Sequence, residues 1–185
     1  DSSDSLVLSS PMVADSSQTA IEIRTSFNGA QLLIFGARNE PGEIVITVRG
    51  PEANIRMRRK ERIAGMWMHV EQQKYYHLPL FFAMATTKPI EQIVDEPTRT
   101  SLLLGIDKVT DASHAKINPV FDEALNATLS KKQWWQEPFG SIEYFGESLF
   151  KARLTMPDSL PGGDYTVEIY LFHDGQLRAT QAAKL

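Results

Sequence analysis

Asp174-Gly175 stands between two runs of alternating apolar residues, and no other feature constrains the fold of this chain so tightly. Before it, Tyr165, Val167, Ile169 and Leu171 share one parity; after it, Leu177, Ala179 and Ala183 resume an apolar face. An Asp-Gly pair accepts the positive φ angles of a two-residue type I′ connection, whose twist matches that of the strands it joins. Alternation with period 2 on both sides predicts an antiparallel hairpin with one face turned to a core.

The same logic runs through the rest of the chain. Ile21 and Ile23 alternate with Glu22 and Arg24, and QLLIFGA (31–37) follows the turn signal Asn28-Gly29. Pro41-Gly42 precedes EIVITVRG, where Ile44, Ile46 and Val48 share a face. Further strands are predicted over 54–63, 66–70, 80–87, 141–145 and 149–156, each bounded by turn residues. Such close punctuation favours antiparallel sheets over alternating βαβ units. In PGGDY, Tyr165 enters a strand just after a Pro-Gly corner, the setting of the tyrosine corner in immunoglobulin-like sandwiches. Between the strand-rich ends, Asn118 is a candidate N-cap with Pro119 at the first helical position. Phe121, Ala124, Leu125 and Leu129 then form an apolar stripe, and a shorter helix is predicted over Thr98–Leu104. The expected fold is mainly β: a single domain over 1–185, an immunoglobulin-like antiparallel β-sandwich with a helical insertion at about 88–135.

Composition narrows the function classes. With 42% apolar and 23% charged residues the 185-residue chain has the make-up of a globular protein. It has no cysteine, which removes disulfides, thiolate metal sites and Cys-His nucleophiles. No run approaches the ~18 apolar residues of a membrane span. The chain starts at Asp1 rather than Met, and the expectation is a processed or trimmed N-terminus with no signal peptide left to read. Neither G-x-x-x-x-G-K-[ST], G-x-G-x-x-G nor G-x-S-x-G occurs. Two carboxylate groupings stand out, Asp107, Asp111 and His114 in DKVTDASH, and Glu143 and Glu147 in SIEYFGE; both read as solvated acids. Asn126-Ala127-Thr128 matches a glycosylation acceptor but falls inside a predicted helix. The expectation is a non-enzymatic protein that needs no cofactor.

Two stretches carry chemistry. In RMRRKER (56–62), Arg56, Arg58, Lys60 and Arg62 share one face of a strand, spaced ~7 Å apart, while Arg59 and Glu61 fall on the opposite parity and suit an ion pair at a bulge. An isoelectric point near 5.6 argues against nucleic acid as the partner. Those four cations fit a charged edge strand, or a docking face for an acidic membrane protein or an anionic membrane surface. The second stretch is Met66-Trp67-Met68-His69, with His77 nearby. Two thioethers and imidazoles suit cuprous copper, the basis of an alternative reading as a metal- or small-ligand-binding protein using Met66, Met68, His69 and His77. Against it, strand neighbours point to opposite faces, and methionines at these positions also suit a sandwich core. Trp134-Trp135 could add an anchor or close a core.

Five blocks in order, FNGAQLLIFGA, PGEIVITVRGP, RRKERIAGMWM, EPFGSIEYFGESLFKA and PGGDYTVEIYLFHDG, resemble the alphaproteobacterial transmembrane protein family over about residues 6–183. The resemblance implies a secreted precursor with a signal peptide, an extracytoplasmic β-rich domain and one C-terminal membrane helix, associated with sulfite-exporter-like permeases. Neither hydrophobic end is present in this sequence. The resemblance thus implies a periplasmic accessory domain, tethered to the inner membrane in the full-length protein, that binds a partner membrane protein. The family offers no catalytic residue to carry over.

Overall fold

A computed structural model describes residues 7–9, 20–28, 30–114, 116 and 118–185, with the side chains of 7–9, His69 and Val70 outside the described set. Along the chain run β1 (Val7–Ser9), β2 (Ile21–Asn28), β3 (Gln31–Arg38), β4 (Glu43–Arg49), β5 (Glu52–Ile63), β6 (Met66–Pro79) and β7 (Phe82–Thr86). Then come α1 (Ile90–Ile93), α2 (Glu96–Leu102), α3 (Ile106–Ser113), α4 (Pro119–Lys131), β8 (Trp135–Gln136), β9 (Glu143–Phe145), β10 (Leu149–Thr155), β11 (Thr166–His173) and β12 (Gln176–Lys184). The protein is mainly β, and the helices all fall within the stretch where the sequence predicts them.

The strands form two five-stranded sheets, ordered β1-β2-β3-β10-β9 and β12-β11-β4-β7-β8, plus the two-stranded hairpin β5-β6. Pairing is antiparallel except between β7 and β8, where Phe82 lies beside Trp135. Asp174 and Gly175 make the β11–β12 turn with φ of 51° and 77°, the geometry that their residue types favour. Asn28 pairs with Gln31 to close the β2–β3 hairpin; the Gly29 of that turn signal lies outside the described residues.

The two sheets share a core. Ile21, Ile23, Leu32, Ile34, Phe150 and Leu154 from one meet Ile44, Ile46, Val48, Ala83, Val167 and Ile169 from the other. The second sheet is buried on its far face too. Val45, Phe82, Met84, Tyr170 and Phe172 pack there against Ile93, Leu104, Val109, Leu125 and Leu129 of the helical segment. Helix α4 begins where the sequence places it, with Asn118 as N-cap residue and Pro119 in the first turn, although the Asn118 side chain makes no capping bond. Its stripe is Phe121, Leu125 and Leu129, while Ala124 is exposed. Helix α2 has the stronger start signal: the Asp95 carboxylate accepts from the Thr98 N–H at 2.9 Å.

Two details fix the sheets. Tyr165 donates its hydroxyl to the Pro161 carbonyl at 2.5 Å, four residues back, and its ring meets Phe81 edge-on at 5.6 Å. Gly36 lies opposite Phe150 in the β3–β10 register, and a Cβ built there would come within 2.1 Å of the buried ring. Tyr165→Phe should therefore cost about 1–3 kcal/mol in chemical denaturation, because a buried carbonyl loses its donor. Gly36→Ala should cost a similar ~1–3 kcal/mol by overpacking, and Phe150→Leu in the same chain should recover part of that loss. Full stability in Gly36→Ala alone would show that the ring moves aside freely.

Candidate functional site

Strand β5 keeps its regular pleat from Ile55 to Ile63, because the irregularities of the hairpin sit mostly in β6. Arg59 faces Glu71 while Lys60 faces His69, so Val70 is the extra residue; nearer the base, Ala53 faces Leu78 while Ile55 faces Tyr75. At that second break His77 adopts a φ of 52°, and its N–H is received by the Asn54 side chain at 3.1 Å. Bulges of this kind re-aim one strand while leaving its partner straight. Arg56, Arg58, Lys60 and Arg62 consequently stay on one face of β5, all exposed. On the other face Ile55 and Met57 are half-buried and pack, with buried Tyr75 and Leu78, against the helical core. Arg59 and Glu61 lie on this second face, hydrogen-bonded to each other, with Glu71 at 3.7 Å from Arg59. The Glu61 carboxylate beside it raises the Arg59 guanidinium further above its ordinary range.

The hairpin is longer than the sequence suggests: β6 continues for nine residues beyond the expected 66–70. Its far end departs most from expectation. Met66 and Met68 do not fill a core; they are 66% and 46% exposed, with Ile63 at 44% and Trp67 at 70%. These four residues flank the Ala64-Gly65 turn. The proposed soft-metal group is also drawn apart. His77 lies nine residues beyond Met68 on the same strand, roughly 30 Å away at ~3.3 Å per residue, and its Nδ1 stands 3.5 Å from Glu52. The side chain of His69 is outside the described residues. Nor are the paired tryptophans a surface anchor. Trp135 is buried and donates to the Pro79 carbonyl at 3.0 Å, while half-buried Trp134 packs between both core clusters and donates to Ser159 at 2.7 Å.

A second region lies in the helical layer. Arg99, Asp107, Asp111, Asp122, Glu123 and Glu137 line part of a cleft of about 820 Å3. Its charged groups are largely committed to one another. Asp107 holds Arg99 with two bonds of 2.9 Å, and Glu137 accepts the Ile106 N–H at 2.7 Å at the start of α3. Desolvation in the cleft raises the Glu137 carboxyl from its ordinary value. The sequence singles out Asp107, Asp111 and His114; the structure adds Asp122, which the sequence gives no reason to include. Asp111, His114 and Asp122 bring one ligating atom each within 4.8 Å of the others. Tyr75 donates to Asp122 Oδ1 at 2.6 Å, and the His114 ring, 1% exposed, meets Asp122 Oδ2 through Nε2 at 3.1 Å.

A carboxylate oxygen only accepts, so His114 donates through Nε2. With Nε2–H given to Asp122, the other ring nitrogen, Nδ1, is left as a buried acceptor without a hydrogen-bond partner. Because Asp122 holds Tyr75 and His114 at once, the cluster acts as a lock joining β6, the end of α3 and α4. Glu143 and Glu147 belong to neither region: the Glu143 carboxylate lies 3.4 Å from Lys151, and the Glu147 carbonyl accepts from Arg38. Asn126 is exposed on α4 and accepts the Ser130 hydroxyl at 2.8 Å.

A family model described as "Putative transmembrane protein (Alph_Pro_TM)" matches residues 11–185. No curated protein matches the chain, and no solved structure does. Among the described residues no helix is long and apolar enough to cross a membrane.

The lock makes one prediction, and the buried tyrosines make another. Asp122→Asn keeps an acceptor for Tyr75 but turns a second donor toward His114 Nε2, forcing the proton to Nδ1, where no acceptor waits. It should lower unfolding free energy by about 1–3 kcal/mol in a denaturant titration; an unchanged midpoint would show that the ring adapts. The second concerns alkali. Burial, aided by Asp122, raises the Tyr75 hydroxyl, and burial with the Glu168 hydrogen bond pushes Tyr170 up to about 12. The folded state therefore holds these protons more tightly than the unfolded chain. Their contribution is complete below the unfolded phenol value of ~10 and is lost as pH rises through the folded values. Stability measured by denaturant should fall from pH ~10 upward, and Tyr170→Phe should flatten part of that fall.

Proposed function

The chain belongs to the Putative transmembrane protein family, and we propose that it is the extracytoplasmic, non-enzymatic part of a membrane-tethered accessory protein. It docks on a partner membrane protein through the cation face of the β5–β6 hairpin. A sulfite-exporter-like permease on the periplasmic side of the inner membrane is the candidate partner. The sheets form an immunoglobulin-like sandwich, a scaffold type that presents contact elements at its margins. The Tyr165 corner and the core shared by the two sheets support that assignment.

One observation carries the reading. Arg56, Arg58, Lys60 and Arg62 stay exposed on a single face of a straight strand, in a chain whose formal net charge is −4. Folding gains little from such charges, since exposed pairs are typically worth ~0–1 kcal/mol. Rim cations of this kind speed association with an acidic surface and suppress wrong partners. The cleft acids support a non-catalytic role, because most of them hold Arg99, Ile106, Tyr75 or His114.

Reversing Arg56, Arg58 and Lys60 together to Glu should leave the thermal midpoint within a few degrees of the parent chain. In cells, a photo-reactive residue at position 58 of the full-length protein should cross-link to a membrane protein, and the Arg56→Glu/Lys60→Glu background should abolish that product. If the triple variant unfolds, the cations belong to a buried network. If the cross-link persists in the reversed background, the hairpin face is not the docking surface.

A further inference from the structure

We propose that the tip of the β5–β6 hairpin enters the headgroup layer of an anionic bilayer. The inference rests on reading this hairpin as the contact element and names a second partner for it, lipid at the tip beside protein on the shaft.

Both faces of the hairpin end carry exposed apolar side chains. Across the turn, Ile63 pairs with Met66, Arg62 with Trp67, and Glu61 with Met68. Paired residues of an antiparallel ladder share a face, and successive pairs alternate. Trp67 therefore lies on the cation face, whereas Ile63, Met66 and Met68 lie on the opposite one. A flat protein groove accepts one apolar face of a ribbon. A ribbon end with apolar side chains exposed on both faces, and cations beside one of them, suits a medium that surrounds it, as the boundary between headgroups and acyl chains does. Tryptophan, with an apolar body and one N–H donor, favours that boundary. The ladder pairs the inward-pointing backbone groups up to Ile63 and Met66, while the outer edges of the two strands and the Ala64-Gly65 turn keep theirs for water and polar headgroups, which holds the tip at the headgroup layer.

The distribution of charge points the same way. Over 52–79 the hairpin carries six Lys or Arg against three Glu. Arg62 and Lys60 sit directly behind the apolar tip, at the level where anionic headgroups would lie. Arg58 and Arg56 are farther from the turn, near ~17 and ~23 Å at ~3.3 Å per residue, and thus beyond the ~8–10 Å over which salt leaves an attraction. That gradient separates lipid from protein. Lys60 and Arg62 should matter most for a bilayer, and Arg56 and Arg58 for a partner that grips the shaft.

The test uses the 185-residue chain and vesicles of phosphatidylglycerol with phosphatidylethanolamine, compared with phosphatidylcholine alone. The chain should co-sediment with the anionic vesicles only, and less as salt rises. Fluorescence should shift to the blue and be quenched by brominated acyl chains, and Trp67→Phe should remove that change, because buried Trp135 and half-buried Trp134 are both held on the core. Lys60→Glu and Arg62→Glu should each weaken partitioning by fivefold or more, a surface cation being worth about fivefold. Arg56→Glu should weaken it by less. Met66→Ser with Trp67→Ser should abolish binding while leaving the circular dichroism spectrum unchanged. Absence of binding to anionic vesicles at low salt, or binding indifferent to the tip variants, overturns the proposal. Loss of vesicle binding with the position-58 cross-link intact would remove lipid and keep the protein partner. Vesicle binding with no cross-link would do the reverse.

Discussion

The sheet β12-β11-β4-β7-β8 has to be dry on both faces, and the rest of the molecule depends on that requirement. From Ile44 to Val48 of β4, five consecutive residues are buried. Alternate ones go to different cores: Ile44, Ile46 and Val48 to the opposing sheet, Val45 to the helical side. β7 divides in the same way, with Ala83 and Ala85 inward and Phe82 and Met84 outward. β11 does so with Val167, Ile169 and Leu171 against Tyr170 and Phe172. A lone antiparallel sheet face can stay wet, but one lined by Phe82, Met84, Tyr170 and Phe172 cannot. The helices α1 to α4 supply its cover. Arg49 joins the layers: it donates to the Leu102 and Leu103 carbonyls at the end of α2 and lies 5.1 Å over the Phe82 ring.

The helical cover also explains how the hairpin can reach outward. An isolated two-stranded ribbon is marginal in water. The base of this one is clamped, since Tyr75, Leu78, Ile55 and Met57 join the core that seals the outer face of the central sheet. Tyr75 is locked again through Asp122 to His114. Farther out, Arg59 with Glu61 and Glu71 ties the two strands across the point where Val70 bulges. Beyond that link the apolar residues Ile63, Met66, Trp67 and Met68 stay exposed.

Much of this was legible in the sequence, and the failures have physical causes. The cation face could be read because β5 has no extra residue near Arg56–Arg62, so simple parity survives folding. β6 could not be read past Val70, because EQQKYYHLP lacks apolar alternation and its bulges flip the parity twice. Tyr75 and Leu78 are its buried hydrophobic anchors, and two such residues are too few to declare a strand. Met66 and Met68 looked like core because alternation signals a buried face whenever a second layer exists to bury it; at the hairpin tip none does. The helical cover of the central sheet was visible as the capped segment at Asn118, but which sheet face it met was not. EIVITVR showed its inward parity while Val45 passed as background. Asp122 escaped notice because its partners, Tyr75 and His114, lie on other elements, and no local spacing reports a convergence across three of them.

The same geometry gives the molecule an orientation in an electric field. The cations Arg56, Arg58, Lys60 and Arg62 lie on the hairpin face that points away from the helical layer, since the opposite face, with Ile55 and Met57, packs into that layer. The acids Asp107, Asp111, Asp122, Glu123 and Glu137 line a cleft in the helical layer itself. Opposite charges therefore lie on opposite sides of one ribbon, although the whole chain is acidic. Near a negatively charged surface the net charge of −4 repels, and that term alone would keep the chain away. The separation of charge lets a torque act where the net force is weak, turning the hairpin toward the surface and the cleft from it. Screening reduces both within ~8–10 Å, so the torque matters only once the domain is already held close. The tethering proposed above would supply that closeness, and would make a basic hairpin useful on a protein whose overall charge otherwise opposes its approach.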